Sequence, residues 1–152
     1  MKLKWTLLLG ALLPFALSAM EIEAETGTVS GKTEVFANAE ASGGKTVYFR
    51  TETRSIPKPT PADTPSLVLK AKLEKDANYQ ISAVVYTPNT SSDSVYMAVD
   101  DGKLTDRHFG FPKKGVKIKL IQSKLTAGEH LIKFWAREPN LQIDKIVIEE
   151  VK

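Results

Sequence analysis

The amino-acid sequence predicts an all-β protein, a single-domain β-sandwich of the jelly-roll kind, and three observations carry that prediction. Apolar and polar residues alternate in run after run, the period a half-buried strand imposes because successive side chains point to opposite faces. The runs are short and separated by turns rich in Gly, Pro, Asn and Asp. No window keeps the 3.6-residue period of an amphipathic helix.

A different kind of segment comes first. Residues 1 to 20, MKLKWTLLLGALLPFALSAM, set Lys2 and Lys4 ahead of an apolar block from Trp5 to Leu17, with the small Ser18 and Ala19 behind it. That is the order of a secretory leader. The block is shorter than the ~20 residues a spanning helix needs. Cleavage after Ser18 and after Ala19 both fit. The expected division is a signal peptide over 1–19 and one domain over 20–152, secreted or periplasmic. The chain has no cysteine to carry a lipid or form a disulfide. Of its 21 basic residues two lie in the leader, leaving 19 against 18 acidic ones. So small a net charge gives no reason to expect a nucleic-acid partner. The ~130 residues that remain are one domain's worth and can bury a core.

Nine short strands are expected. EIEAET (21–26), TEVFAN (33–38) and TVYFRT (46–51) open the domain. SLVLKAKLEK (66–75) puts Leu67, Leu69, Ala71 and Leu73 on one face and Lys70 and Lys72 on the other. YQISAVVYT (79–87), SVYMAVDDG (94–102), GVKIKLIQ (115–122), HLIKFWARE (130–138) and QIDKIVIEEV (142–151) repeat the pattern. They are rich in the β-branched and aromatic residues that suit a pleated surface. Turns are expected at SGG (42–44), KDAN (75–78), DDGK (100–103), PKKG (112–115) and TAGEH (126–130). RSIPKPTPADTPS (54–66) holds four prolines, can supply few ladder donors, and reads as a loop. Such a loop is either functional or a cover for a sheet.

The first strand poses a question of charge. Glu21, Glu23 and Glu25 fall on alternate positions, a stripe of like charge that costs stability unless something positive lies against it. Solvent is one answer and a metal ion the other.

Four segments, IEAETG (22–27), ASGGKTVYF (41–49), AGEHLIKFWARE (127–138) and LQIDKIVI (141–148), occur in an order and spacing that resembles a carbohydrate-binding module of families 6 and 35. These families share a galactose-binding-like jelly roll, and the resemblance covers essentially the whole chain after the leader. It implies a structural Ca2+ held by Glu23, Glu25 and Asp144, with help from backbone carbonyls near the GG segment. Calcium takes six to eight oxygen ligands, carboxylates and carbonyls together. The competing arrangement leaves Glu23 and Glu25 in solvent and pairs Asp144 with Lys145 or another base. Glu21 lies outside the motif. The resemblance also implies a sugar site in loops at one end of the sandwich, formed by Tyr48 or Phe49, the cluster His108, Phe109 and Phe111, and the amides Asn140 and Gln142. Phenylalanines stand here where the family favours Trp or Tyr, and Gln142 stands where it favours Asn.

A second platform follows from alternation. With Ile132, Phe134 and Ala136 inward, Trp135 points outward beside Lys133 and Arg137, and Tyr86 and Tyr96 point outward opposite Val85 and Met97. Aromatics beside Arg and Lys suit an acidic or sulfated polysaccharide. The competing expectation packs Trp135 under the proline-rich segment.

Catalytic signatures are absent from the sequence: there is no G-x-S-x-G, H-E-x-x-H, P-loop or G-x-G-x-x-G. His130 sits at a turn-to-strand junction and reads as structural; His108 has Asp106 and Arg107 beside it. The resulting expectation is an exported, non-catalytic binder of a poly- or oligosaccharide, with a separate carbohydrate-active enzyme as a possible partner. The alternative is a structural or adhesive envelope protein that binds another protein, and a small polysaccharide-active enzyme using His108 comes third. A binder requires aromatics grouped with amides and acids in a groove. An interaction protein requires a flat apolar patch of several hundred Å². An enzyme requires His108 bonded to a carboxylate in a cleft.

Overall fold

The computed structural model of the protein describes residues 19–51, 55–60, 62–110 and 113–152. The expected leader to residue 18 and the expected site residue Phe111 lie outside the described residues. Eleven strands are present: β1 (Met20–Glu23), β2 (Thr28–Val29), β3 (Thr33–Ala37), β4 (Lys45–Phe49), β5 (Leu67–Leu73), β6 (Ala77–Thr87), β7 (Ser94–Val99), β8 (Thr105–His108), β9 (Lys113–Leu125), β10 (Gly128–Ala136) and β11 (Leu141–Glu150). Among the described residues the only helical pieces are 3₁₀ turns at Ala24–Thr26 and Ser42–Gly44. No helix there is long and apolar enough to cross a membrane.

The strands form two antiparallel sheets. The first, sheet A, runs β3-β4-β11-β6-β9, with β1 also paired to β11; sheet B runs β2-β5-β10-β7-β8. Their inner faces supply the core: Leu67, Leu69 and Ala71 of β5, Ile81, Ala83 and Val85 of β6, Ile132 and Phe134 of β10, and Ile143, Ile146 and Ile148 of β11 are almost fully buried. These are the alternating positions of the sequence, which is why the period-2 pattern was a sound guide.

Each of the nine expected segments contains a strand. Two further strands, β2 and β8, carry no alternation to reveal them: one is two residues long, and the other reads TDRH. The PKKG turn is corrected, since β9 already runs through Lys113, Lys114 and Gly115. The first expected strand also stops early. It ends at Glu23, and Glu25 stands in the 3₁₀ turn that follows, so Glu21, Glu23 and Glu25 do not form one stripe.

Two irregularities decide where side chains go. In β11 the register with β6 shifts between Ile143 and Lys145. The bulge lets Ile143 and Ile146 both face the core and leaves Asp144 between them, 3% exposed. At the same place β11 changes partner along one edge, pairing with β4 through Leu141–Ile143 and with β1 through Lys145–Ile148. In β9 the register with β6 shifts at Val85/Tyr86, which sets Lys114 opposite Tyr86 and Val116 opposite Val85. Gly115 is the residue passed over, at φ 64°. A Cβ there would lie 2.9 Å from the Tyr86 hydroxyl, so glycine is required by conformation and by space.

Candidate functional site

Where β1, β4 and β11 meet, the expected metal ligands converge. Ser42, in the 3₁₀ turn before β4, places its hydroxyl 2.8 Å from Glu23 Oε2 and 2.9 Å from Asp144 Oδ1, and its N–H donates to Asp144 Oδ2 at 3.2 Å. One hydroxyl carries one proton, so one of its two carboxylate contacts sets lone pair against lone pair. Glu25 reaches the same turn: its Oε1 is 3.0 Å from where a Cβ on Gly43 would stand, and its Oε2 is buried without a hydrogen-bond partner. Ser42 stands between the acids, and among the described residues no three of them close directly into a metal-binding group. The alternative pairing does not occur. Lys145 Nζ goes to Glu21 at 2.6 Å, and that carboxylate holds the ammonium above its ordinary pKa.

Beside this junction, the outer face of sheet A carries a row of side chains, one from each of five strands. Cross-strand pairing aligns Glu34, Tyr48, Gln142, Tyr86 and Lys114 across β3, β4, β11, β6 and β9. Part of the row opens into a groove of about 300 Å³ lined by Glu40, Tyr48, Tyr86, Pro88, Lys113, Lys114, Asn140 and Gln142. Its polar groups are held in place. Gln142 Oε1 accepts from Thr46 Oγ1 at 2.8 Å and from Asn38 Nδ2 at 3.2 Å, while its own NH2 meets no acceptor among the described residues. The Tyr48 hydroxyl donates to Asn140 Oδ1. Asn140 sits at φ 66°, a left-handed conformation that Asn tolerates, in the turn entering β11. The Tyr86 hydroxyl donates to the Glu40 carbonyl at 2.7 Å; burial, then the charges of Asp144 and Glu40, push its pKa up. Phe36 lies beside Tyr48 with ring centroids 5.4 Å apart and is 41% exposed.

The structure thus brings together Tyr48, Asn140 and Gln142 from the expected sugar site with Tyr86 from the alternative one. It separates the rest. Phe109 is corrected: it is 5% exposed within the main core, drawn in as its N–H donates to the Asp93 carbonyl at 2.8 Å. His108 stands exposed on β8 at the edge of the other sheet, its Nε2 3.2 Å from Asp106 Oδ2. Both partners are more than half exposed, which is not the cleft that His108 chemistry requires.

The second platform is also corrected. Tyr96 and Trp135 do leave the core side of sheet B, but they pair with one another across β7 and β10 and are covered. Trp135 is 9% exposed, with its indole N–H donating to the Asp63 carbonyl at 3.0 Å; the Tyr96 hydroxyl donates to the Ile56 carbonyl at 3.1 Å. With Ala98 and Leu104 they form a second small apolar cluster under the proline-rich segment. Arg137 is engaged as well, over the Tyr96 ring at 5.8 Å and bonded to Ser94 and Glu138.

Sequence reasoning missed Ser42, Glu40, Lys113 and Lys114. The two lysines were hidden in an apparent turn, and Ser42 gave no signal beyond its place next to the glycines.

No family model matches the sequence, and no curated protein does. Solved structures do resemble this one. The family 35 carbohydrate-binding module of Clostridium thermocellum superposes with a TM-score of 0.61 at 18% identity, covering 86% of this chain and 98% of that one. The C-terminal family 6 module of LamC, a marine laminarinase from Zobellia galactanivorans, gives 0.59 at 15% identity over 88% of this chain and 100% of that one. The exo-β-1,3-galactanase of Phanerochaete chrysosporium, in a complex with galactose, gives 0.63 at 19% identity over 86% of this chain, which spans only 29% of that enzyme. The fold is therefore the β-sandwich of carbohydrate-binding modules of the family 6 and 35 type.

Proposed function

We propose that this chain is an exported, non-catalytic carbohydrate-binding protein whose site is the groove on the outer face of sheet A. One observation carries the reading: two tyrosines, Tyr48 and Tyr86, share that groove with two amides, Asn140 and Gln142, whose NH2 groups meet no acceptor among the described residues. Sugars need this combination, aromatic surface for their apolar faces and fixed donors and acceptors for their hydroxyls. Glu40 supplies a carboxylate acceptor on the same wall. The fold supports the reading, since the similar structures include carbohydrate-binding modules of families 35 and 6.

The carboxylate junction next to the groove fits a structural Ca2+. Glu23, Glu25, Asp144 and the Ser42 hydroxyl would hold it, with backbone oxygens of the 42–44 turn, an all-oxygen set of the kind calcium prefers. The unpartnered Glu25 oxygen and the proton-poor contacts at Ser42 favour a cation there. Its contribution would be to fix β1 and the 42–44 turn against β11.

The test is retention on a panel of polysaccharides by affinity electrophoresis, for the wild type, Tyr48→Ala and Gln142→Ala. Retention on at least one glycan, weakened at least fivefold in both variants, is the expected result. Retention unchanged in both would move the site elsewhere. The protein-binding alternative has less behind it. The exposed large apolar side chains among the described residues are Val35 and Phe36 on β3 and Val116 on β9, strands at opposite edges of sheet A rather than one patch.

A further inference from the structure

Resting on the carbohydrate reading above, we infer that the groove takes an anionic glycan chain laid across the strands of sheet A, with an acidic group of the chain against Lys113 and Lys114. The first argument is length. The row from Glu34 to Lys114 crosses five strands. Four inter-strand gaps of ~4.8 Å make roughly 19 Å, well beyond a single sugar ring.

The second argument is that the two ends of the row differ in charge. At the β3 end the charges are closed on themselves. Arg50 Nη2 binds Glu34 Oε1 at 2.6 Å, and its guanidinium lies 5.4 Å above the Tyr48 ring. With Phe36 alongside, that end offers aromatic surface and no spare charge. At the β9 end Lys113 and Lys114 line the groove, and among the described residues neither ammonium group meets an ion-pair partner. The next lysines on the same face of β9 are engaged, Lys117 with Glu149 at 3.1 Å and Lys119 with Gln122 at 3.3 Å. Glu40 is the one carboxylate in the groove lining, against two lysines, of which Lys114 shares the outer face with Tyr86.

The third argument concerns register. Lysines on an edge strand commonly guard it against pairing with other chains, and that role works at any register. Here a bulge at Gly115, tolerated only by glycine, sets Lys114 directly opposite Tyr86. That specific placement serves a site rather than a guarded edge.

Matched pairs of polymers differing only in charge make the test: polygalacturonate against its methyl ester, and dextran sulfate against dextran. Each is offered to the wild type, Lys114→Ala, Lys113→Ala/Lys114→Ala and Phe36→Ala at low and high salt. The expected result is retention of a charged member over its neutral twin, falling as salt rises. Loss of a charge-assisted hydrogen bond should weaken it about tenfold in Lys114→Ala and further in the double variant. Phe36→Ala should weaken binding of long oligomers and spare the shortest. These lysines are on the surface, so unchanged melting curves certify that the variants fold. Equal retention of neutral and charged twins, or charged retention that survives the double substitution, would overturn the inference while leaving carbohydrate binding intact. Retention of no polymer in these pairs or in the broader panel would instead remove the carbohydrate reading itself.

Discussion

The outer faces of the two sheets carry similar residues and have opposite fates. Sheet A presents Tyr48 and Tyr86 beside lysines, and sheet B presents Tyr96 and Trp135 beside Lys133 and Arg137. On sheet A the aromatic hydroxyls are anchored to Asn140 and to the backbone carbonyl of Glu40; Tyr86 is itself only 9% exposed, while Tyr48 is half-buried at the wall of a groove that stays open. On sheet B the polar tips of the rings are taken by backbone carbonyls of the proline-rich segment, which covers both rings and leaves a pocket of about 380 Å³ between Lys58, Leu104, Lys133 and the edge of Trp135. Proline suits that segment because it lacks an N–H and leaves carbonyls without competing ladder bonds. An outward aromatic therefore marks an open surface only where no other segment of the chain lies over its ring.

The comparison can be broken most forcefully on the covered side. Trp135→Ala removes the centre of the second cluster and should cost about 3–4 kcal/mol, in the range for large aromatics lost from packed sites. A thermal melt would register it, limited proteolysis would open residues 55–66, and glycan retention should not change. Lost retention at unchanged stability would instead make the covered face the site. Next in size is calcium. At a hundredfold excess over its dissociation constant it should stabilise the wild type by about 2.7 kcal/mol, a rise in Tm that chelator reverses and that Glu25→Ala and Asp144→Ala both abolish. A melt indifferent to calcium would leave the junction to Ser42 alone.

A finer cut separates the amide of Asn140 from its backbone role. Asn140→Gly keeps the left-handed turn accessible and deletes the side chain, so Tm should hold while glycan affinity falls roughly three- to tenfold, the worth of one or two neutral hydrogen bonds. A large fall in Tm would mean that Asn140 serves the fold through Tyr48.

The smallest effect belongs to the covered sheet. His130 is buried on β10, with Nδ1 2.7 Å from Asp100 Oδ2 and Nε2 2.9 Å from the Thr126 carbonyl, both contacts in which the ring donates. The bond to Asp100 raises its pKa above 6.5 against the opposing effect of burial, and the Thr126 carbonyl helps. A His whose folded pKa is raised contributes stability that is complete below pH 6.5 and is lost as pH climbs through the raised value. Tm should therefore fall by a few degrees between pH 6 and 8, since ~1 kcal/mol moves a chain of this size by about 3 °C. His130→Gln should flatten that slope while leaving glycan retention on sheet A alone.

Much of this architecture was legible because alternation survives wherever a strand is half buried. Leu67 to Leu73 announce β5 and its buried face without help from anything distant. The bulge at Asp144 was also written in the chain, as apolar spacing that steps from 143 to 146 instead of 145. What could not be read depends on long-range partners. Phe109 looked like a surface aromatic in a loop until its backbone bonded Asp93. Nothing local says that Asp63 and Ile56 will reach Trp135 and Tyr96. Of the site, Glu23, Glu25 and Asp144 were found through resemblance, whereas Ser42, Lys113 and Lys114 needed the register of strands far apart in sequence.

The position of β11 has a consequence for how the protein is made. It is the last of the eleven strands, yet it pairs with β1, β4 and β6 at once. Until it arrives, sheet A consists of two separate pairs, the β3–β4 hairpin and β6 with β9, whose connection passes through β7 and β8 of the other sheet, and a lone β1. Loop-closure entropy must be met before such distant contacts give any return. Sheet A therefore cannot close until residues 141–150 are in place, and both the carboxylate junction and the groove beside it form only with that strand.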